Sequence, residues 1–499
     1  MKILKKIWNH ISLFFSKIFL FFQKHLVDNF KEKVLTKKII FTLVMMSIFI
    51  VIGAITVPGV KIVEGSEINP NDFFGILNTI GGGGLRRFSI VSLGISPFIS
   101  ASIIMTFAQT KLFPPIHQLS QAGPAGRIKI NYITRTLTFV IAAIQAIMLT
   151  QSLQTGTIGF VELAPEFNQV WFIYIVLPFV MMAGSFLSVF ISEQITNKGV
   201  GNGTSLLILS GTIISLPQIF MAAFNQMIPA GSANSQLLTG ITYFSLYLLS
   251  FVVLMYLINF IYQAERKIPI QHIGSGRSRT VKELSYLPLK INAAGVMPVI
   301  FGMLTTSFPL MIINFIDGFL DETHLGILWF KKNFLLTAPV GLVIFSASIF
   351  IFTIIMGLQQ ARIDKIVEDF NRNSTFIPGI RPGEQTEDYL TSIVMRLSVF
   401  SAFYLTILAS IEYLMQIAGV NPAIAFGGTS LMILVSVSIE TMEQVRVRYK
   451  TSNFGKKESI ELAAAQEVYN FDDMTRDVDL VNDDYQEDDM KNGSGSILW

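Results

Sequence analysis

Ten predominantly apolar stretches of roughly membrane-spanning length recur along the 499-residue chain. A transmembrane helix needs about 20 consecutive apolar residues, so each stretch predicts one membrane-spanning helix. The predicted fold class is therefore an all-α polytopic membrane protein. The ten predicted spans lie at residues 38–57, 88–109, 131–153, 170–193, 200–224, 238–262, 291–315, 335–358, 391–415 and 422–443.

Lysine and arginine are distributed unevenly among the segments that connect the spans. Segments 154–169, 225–237 and 416–421 contain neither residue, whereas the two ends of the chain and the even-numbered connections carry most of them. Because basic segments stay on the cytoplasmic side of a membrane, both termini are predicted to be cytoplasmic. Segments 58–87 and 316–334 are exceptions to this pattern, since each carries a few basic residues.

The order of the spans suggests two halves. Residues 38–224 hold the first five spans and residues 225–443 hold the other five. An odd number of spans per half places the halves in opposite orientations, as in inverted repeats around a midplane pathway. This is a topological suggestion, since residue identity shows no repeat. Segment 71–80 is too short to span and is predicted to be a re-entrant piece on the outer side, packed inside the protein.

A glycine run and a serine pattern mark the segment that follows. Four successive glycines, Gly81 to Gly84, precede the second span and permit turns that other residues do not. Four serines recur at three- or four-residue steps, which predicts one polar face on a helix that begins near Ser89 and bends at Pro97. These serines are Ser89, Ser92, Ser96 and Ser100. The alternative is an ordinary packed helix with small residues at its interface.

The two ends of the chain differ from its centre. Residues 1–37 alternate apolar and basic positions at helical spacing, which predicts a basic amphipathic helix at the cytoplasmic membrane surface. A signal peptide is the competing interpretation, but Lys17 interrupts the apolar part and no small-residue cleavage site follows. Residues 444–499 turn acidic and contain few apolar positions, which predicts a cytoplasmic, largely disordered tail.

Two long connections are predicted to project from the cytoplasmic side. Loop 263–290 is basic, and loop 359–390 contains FIPGIRPGEQT, in which Arg381 stands between Gly379 and Pro382. Turn residues on both sides should hold that arginine outward. Ordered positive charge of this kind favours an acidic partner, either protein or RNA. The alternative is a pair of basic loops that only fix the orientation.

Composition excludes several classes of function. The chain is 51% hydrophobic and 14% charged, and it has no cysteine, so it is not an ordinary soluble domain and has no thiolate site. GVGNG at Gly199–Gly203 lacks the lysine of a phosphate-binding loop. No nucleophile or metal-ligand pattern occurs, which predicts no enzymatic activity. A secondary solute transporter is the alternative function, but it would need fixed polar groups at the midplane.

Five separated motifs, which occur in the family's order, resemble those of the SecY family, the channel subunits of the bacterial protein translocase. The motifs are GGGGLRRFSIVSLGISPFISASII (81–104), SEQITNKGVGNGTSLLI (192–208), LPLKINAAGVMPVIF (287–301), FIPGIRPGEQT (376–386) and FGGTSLMILVSVSIETM (426–442). The resemblance implies ten helices in two inverted halves of five, with a short re-entrant plug helix at about residues 71–84. It also implies a protein-conducting channel with an aliphatic ring at its waist.

The resemblance assigns roles to particular residues. The pore ring is Ile95, Ile99, Ile208, Ile300 and Ile433. The plug includes Asn71, Phe73, Phe74, Ile76, Leu77 and Ile80. The lateral gate, between the second and seventh spans, includes Ser100, Gln145 and Phe308. Thr204 stands one turn before Ile208, where the family often has isoleucine, so this layer of the ring is expected to be looser.

The resemblance also implies partners and location. The expected site for the SecA ATPase and the ribosome comprises Arg266, Lys267, Arg277, Arg279 and Arg381. Gly274, Ser275 and Gly276 stand where many members are basic, which weakens the expected contact of the first loop. The small membrane subunits SecE and SecG, signal sequences, nascent polypeptides and membrane lipid are the other expected partners. No cofactor is implied, and the expected location is the plasma membrane.

Overall fold

The computed structural model describes residues 33–62, 73–109, 113–154, 161–167, 169–228, 234–272, 285–317, 325–421, 424–425 and 428–449. These residues are mostly helical. The helices are α1 (Lys33–Ala54), α2 (Phe73–Gly81), α3 (Ser96–Ala108), α4 (Pro114–Gln121), α5 (Gly123–Gln154), α6 (Leu177–Lys198), α7 (Gly203–Met227), α8 (Asn234–Gln263), α9 (Met297–Asp317), α10 (Leu325–Asn333), α11 (Pro339–Ala361), α12 (Ile363–Arg372), α13 (Glu384–Ile417) and α14 (428–449).

Short strands complete the described structure. They are β1 (Val60–Ile62), β2 (Val161–Leu163), β3 (Glu265–His272), β4 (Ser285–Lys290) and β5 (Thr375–Phe376). β1 pairs with β2, while β3 pairs with both β4 and β5, and all of these pairings are antiparallel. The all-α prediction was therefore incomplete. The missed signal is the alternation of Ile268 with Ile270 and of Leu287 with Leu289, since a period of two is typical of strands.

The chain divides into two compact units. One comprises Ile39–Thr441 and contains the features described below. The other comprises the two ends, Met1–Lys38 and Met442–Trp499. Residues 1–32 of the predicted amphipathic helix and residues 450–499 of the predicted acidic tail lie outside the described residues.

Within the part of the chain that the structure describes, seven helices are long and apolar enough to cross a membrane. They are Val34–Ala54, Gly123–Leu153, Phe172–Lys198, Gly203–Met227, Leu237–Gln263, Pro339–Arg372 and Glu384–Ile417. Two shorter apolar helices, Ser96–Ala108 and Met297–Leu310, coincide with the predicted second and seventh spans. The protein is thus a multi-pass membrane protein, and the count of ten spans stays a prediction.

Helix α3 begins seven residues later than the serine pattern predicts. Ser89 forms an isolated β-bridge with Thr56 and Ser92 lies in a bend before the helix, so only Ser96 and Ser100 belong to it. Pro97 lies in the first turn of α3, where the missing N–H leaves no hydrogen bond unmade, so it does not bend the helix. Gly94, which has a φ of +51°, makes the turn that precedes α3. The prediction of a continuous serine face bent at Pro97 was wrong.

Two of the strand pairings join connections that were predicted to lie on the same side of the membrane. β1 lies in the connection after the first predicted span, and β2 lies in the connection after the third. β3 and β5 belong to the two long basic connections, and Gln271 of β3 pairs with Phe376 of β5. Paired strands lie at the same end of a bundle, so these pairings agree with the alternation that the basic residues predict.

Candidate functional site

The five isoleucines of the predicted pore ring come from four helical segments and are all buried. Ile95 immediately precedes α3 and Ile99 lies in its first turn, while the others belong to α7, α9 and α14. Their exposed fractions range from 0% for Ile95 to 7% for Ile99. All five belong to one continuous cluster of buried apolar side chains. The structure thus places residues that are up to 338 positions apart in the sequence (Ile433 less Ile95) in one large apolar core.

Helix α2, the predicted plug, packs against this cluster. Ile76 and Ile80 are one turn apart and belong to the same buried cluster as the pore ring. Leu77 and Phe74 belong to a second cluster, which includes Leu85. α2 contacts α7 and α9, so one face of the helix covers the ring cluster. The backbone of Phe73 lies in α2, whereas its side chain and Asn71 lie outside the described residues.

Thr204 does not present a free hydroxyl to the ring. Its hydroxyl donates to the side-chain oxygen of Asn202 at 2.7 Å, and its backbone N–H donates to the same oxygen at 3.2 Å. Asn202 thereby caps the N-terminus of α7. The backbone N–H groups of Val200 and Gly203 donate to Thr42 and Thr196. These two backbone N–H groups of the GVGNG loop, residues 199–203, thus donate to protein side chains. This agrees with rejecting the loop as a phosphate-binding loop.

The three predicted gate residues lie on three helices, α3, α5 and α9. α5 contacts both α3 and α9, and Phe308 of α9 packs against both buried clusters. Ser100 and Gln145 are buried. Within the described residues, neither the Ser100 hydroxyl nor the side-chain oxygen of Gln145 has a hydrogen-bond partner. Unpaired buried polar groups of this kind carry an energetic cost.

Proline weakens α9 at the position next to Phe308. Pro309 lies inside the helix, where it lacks the N–H of a normal helical hydrogen bond and crowds the preceding turn. Before α9, Gln360 and Ser401 donate to the backbone carbonyls of Ala294 and Ile291. The segment before α9 is therefore held by side-chain hydrogen bonds, while Pro309 removes one backbone hydrogen bond from the helix itself.

The two long connections form one structural unit, the loop cluster, built from β3, β4, β5, α12 and the start of α13. Its core is a third group of buried apolar side chains. These are Ile268, Leu289, Ile363, Val367, Phe370, Ile377, Leu390, Ile393 and Val394. The sequence predicted two separate loops, whereas the structure packs them around a common core.

Arg381 stands on this loop cluster with its side chain exposed. Its backbone carbonyl accepts a hydrogen bond of 2.8 Å from the Thr386 hydroxyl, and Thr386 is buried. Gly379 and Gly383 on either side have φ values of +86° and +101°, which favour glycine. The backbone of Arg381 is thus fixed while its guanidinium group remains available.

The first loop contributes further exposed charge. Arg266 and Lys267 are exposed on β3, and the Lys267 Nζ lies 4.7 Å from the centre of the Tyr286 ring on β4. The face of an aromatic ring attracts a cation electrostatically, so the Tyr286 ring helps to hold the Lys267 ammonium group in place. Arg277 and Arg279, together with Gly274 and Gly276, lie outside the described residues.

The chemistry of the buried cluster defines a class of protein. Branched aliphatic side chains from helices distant in sequence meet inside a multi-pass membrane protein, and a short helix covers them. Such a constriction excludes water and ions when it is closed and offers no fixed polar group to a specific solute. The fold is therefore that of a helical multi-pass membrane protein, and its buried aliphatic cluster has the chemistry of an apolar constriction.

Comparison with known proteins identifies the family. The SecY family model matches residues 89–442. The protein translocase subunit SecY of Mycoplasmoides gallisepticum is 37% identical over 421 residues, which cover 83% of this chain and 82% of that protein. The SecY subunit of Bacillus licheniformis is 35% identical over 432 residues, which cover 86% of this chain and 98% of that protein. The chain belongs to the SecY family.

Solved structures agree at the level of the fold. A structure described as a protein conducting channel aligns with a TM-score of 0.61 and 17% identity, covering 84% of this chain and 94% of that chain. Sec61 in a canine ribosome-channel complex from the endoplasmic reticulum aligns with a TM-score of 0.56 and 17% identity, with the same coverage.

Proposed function

We propose that this protein is a protein-conducting channel, which passes unfolded polypeptides across the plasma membrane as part of the general secretory pathway. The observation that carries the proposal is the burial of five isoleucines from distant segments in one cluster under helix α2. The family is one of translocase subunits rather than of catalytic enzymes, so the proposed activity is transport without a covalent step.

The proposed waist works by size and polarity. In the closed state the five side chains exclude water, so ions meet a high energy barrier even though no charged side chain belongs to the ring. A moving polypeptide displaces aliphatic side chains without breaking any specific polar contact. The ring can therefore pass sequences of any composition. One turn before Ile208, Thr204 has a shorter and more polar side chain than isoleucine, and its hydroxyl donates to Asn202.

The proposed lateral gate lies where α3, α5 and α9 meet. Ser100, Gln145 and Phe308 line it, and Pro309 supplies a weak point in α9. When the gate opens, a segment of about 20 apolar residues partitions into lipid. A charged segment stays in the aqueous path, since each charge costs about 2.5–3.5 kcal/mol at the bilayer centre. Sorting by hydrophobicity follows from the opening itself.

The proposed topology has ten spans in two inverted halves, 38–224 and 225–443, with both termini in the cytoplasm. It is supported by the strand pairings between connections of the same predicted side. In this topology α2 is the plug and lies on the outer side of the waist. In one aligned structure, that of a SecY protein, the plug domain stabilises the closed state of the translocation channel and maintains a membrane seal.

The loop cluster is the proposed docking surface for SecA and the ribosome. Arg381 has a fixed backbone and an exposed side chain, and Arg266 and Lys267 add charge. Sec61 and Ssh1, two of the proteins with aligned structures, were solved in complexes with ribosomes. The remaining proposed partners are the membrane subunits SecE and SecG, signal sequences and nascent chains.

Disulfide trapping tests the proposed path directly, because the chain contains no cysteine. A stalled secretory precursor that carries one cysteine, together with a mild oxidant, should form a disulfide with an Ile300→Cys variant in the assembled translocase. The expected yield is high only while the precursor spans the channel. The matched control is Ile407→Cys on α13, whose side chain is 64% exposed and should face lipid.

Equal trapping at positions 300 and 407 would contradict the proposed path. So would efficient export of the precursor by the Ile300→Cys variant with no trapping at any stalled position. Either result would mean that polypeptides do not pass the buried isoleucine cluster.

Charge reversal at Arg381 should uncouple the channel from its cytoplasmic partner. We expect Arg381→Glu to weaken binding to the ribosome or SecA by at least about tenfold, since like charges at a docked interface cost several kcal/mol. Folding should be unaffected, because the backbone of Arg381, not its side chain, holds the loop. Co-sedimentation with ribosomes and binding of SecA measure the effect.

The matched control reverses another exposed charge of the loop cluster, Lys365 on α12. If Lys365→Glu weakened binding as much as Arg381→Glu, the effect would reflect net charge and not a specific contact. Wild-type binding by the Arg381→Glu variant would remove Arg381 from the proposed docking surface.

A further inference from the structure

The segment that follows α2 lies against α7 in close backbone contact. A Cβ atom added to Gly211 of α7 would lie 2.4 Å from the carbonyl carbon of Gly82 and 2.7 Å from its Cα. Gly83 lies on the same side, since its Cβ position would be 3.4 Å from the Gly211 Cα. Only glycine at position 211 allows the two backbones to approach this closely.

A polar contact lies further along the same helix. The Arg86 guanidinium donates a hydrogen bond to the side-chain oxygen of Gln218 on α7. Gln218 follows Gly211 by seven residues, which is about two helical turns, so both residues lie on one face of α7. The glycine contact and the Arg86 hydrogen bond thus attach one short segment to one helix face at two points.

Asn78 of α2 connects the helix to these two points. Its backbone carbonyl accepts from the Gly83 N–H at 2.8 Å, and its side-chain oxygen accepts from the Arg86 N–H at 3.0 Å. Any movement of α2 away from the ring cluster must therefore either carry Gly83 and Arg86 with it or break these bonds. Attachment of the segment to α7 restrains α2.

We infer that Gly82, Gly83 and Arg86, bound to Gly211 and Gln218, form a latch that holds the plug in the closed state. The inference rests on the proposed function, in which α2 is the plug. It assigns to α7 a role in gating that is separate from the contribution of Ile208 to the ring. Opening requires release of this latch, so its strength sets how readily a signal sequence opens the channel.

The test uses the full chain assembled with its membrane subunits in planar bilayers, where ion conductance reports the open fraction. Arg86→Ala and Gln218→Ala should each raise the open fraction about 2- to 10-fold, as expected for a hydrogen bond to a charged group that is partly exposed to solvent. The double variant Arg86→Ala/Gln218→Ala should raise the open fraction no further than either single variant does. The exchange Arg86→Gln/Gln218→Arg should restore the closed state. The matched controls are Arg87→Ala and Gln226→Ala, both at exposed positions.

Gly211→Ala tests the backbone contact. Alanine is the better helix former, so α7 itself should tolerate the change, while the added methyl group separates α7 from Gly82. We expect an increase in open fraction at least as large as that of Gln218→Ala. If Gly211→Ala fails to assemble, the Arg86 and Gln218 variants still decide the question.

Two outcomes separate failure of the latch from failure of the proposed function. If deletion of residues 71–80 raises the conductance but the latch variants match their controls, or if the effects of Arg86→Ala and Gln218→Ala simply add, the latch is wrong and the plug stands. If the deletion also leaves the conductance unchanged, α2 is not the plug and the latch has nothing to hold.

Discussion

Replacing Ile433 by asparagine is expected to make the channel open more readily, by a factor of about 5 to 150. Ile433 is 1% exposed and lies in the cluster that contains the other four ring isoleucines. Loss of a buried aliphatic side chain costs the closed state about 1.5–3 kcal/mol. An open, wet pore loses much less, so the equilibrium moves toward opening.

The measurement is export of secretory proteins with weakened signal sequences, which ordinarily open the channel poorly. The Ile433→Asn variant should export them more efficiently than the parent. Ile433→Val is the matched control, because it keeps an apolar branched side chain at the same position and should behave almost as the parent does. Poor export of weak-signal substrates by both variants would remove Ile433 from the constriction.

The membrane helices could be predicted from the sequence because apolar length is a strong local signal. Seven of the predicted spans coincide with helices that are long and apolar enough to cross a membrane, for example 131–153 with Gly123–Gln154. The start of α3 was predicted wrongly. Apolar and serine positions continue unbroken through residues 89–95, so periodicity alone could not separate turn from helix. Gly94 and Pro97 carried the information, since glycine allows a left-handed turn and proline suits a first helical turn.

The candidate site could be predicted from the sequence less completely than the membrane helices. Isoleucine is ordinary in a membrane span, so no pattern distinguishes Ile208 or Ile300 from their neighbours, and only the resemblance of whole motifs pointed to them. The contact of Arg86 with Gln218 joins residues 132 positions apart and has no local sequence signal. Gly211 did carry one, because small residues in membrane helices let backbones approach closely. The packing of the two basic loops around one core was equally a matter of tertiary contact.

Deleting residues 71–80 is expected to leave an assembled channel that conducts ions while no polypeptide is present. The deletion removes Ile76, Leu77 and Ile80, each at most 2% exposed, from the two buried clusters of the closed state. Burial of each such side chain is worth about 1.5–3 kcal/mol, and every 1.4 kcal/mol changes an equilibrium tenfold. An increase in conductance of at least about tenfold should follow.

The bundle itself should survive this deletion, because the long helices pack against one another without α2; α11 with α13, α9 with α11 and α3 with α5 make extensive contacts. Removal of residues 479–488 from the acidic tail is the matched control, since it shortens the chain by the same length and removes none of the proposed pore or plug residues. Planar bilayers measure the conductance, and co-purification with the membrane subunits measures assembly. An assembled deletion variant that stays as closed as the parent and the tail control would show that α2 does not seal the channel. A leak confined to the deletion variant would identify α2 as the seal above the isoleucine ring.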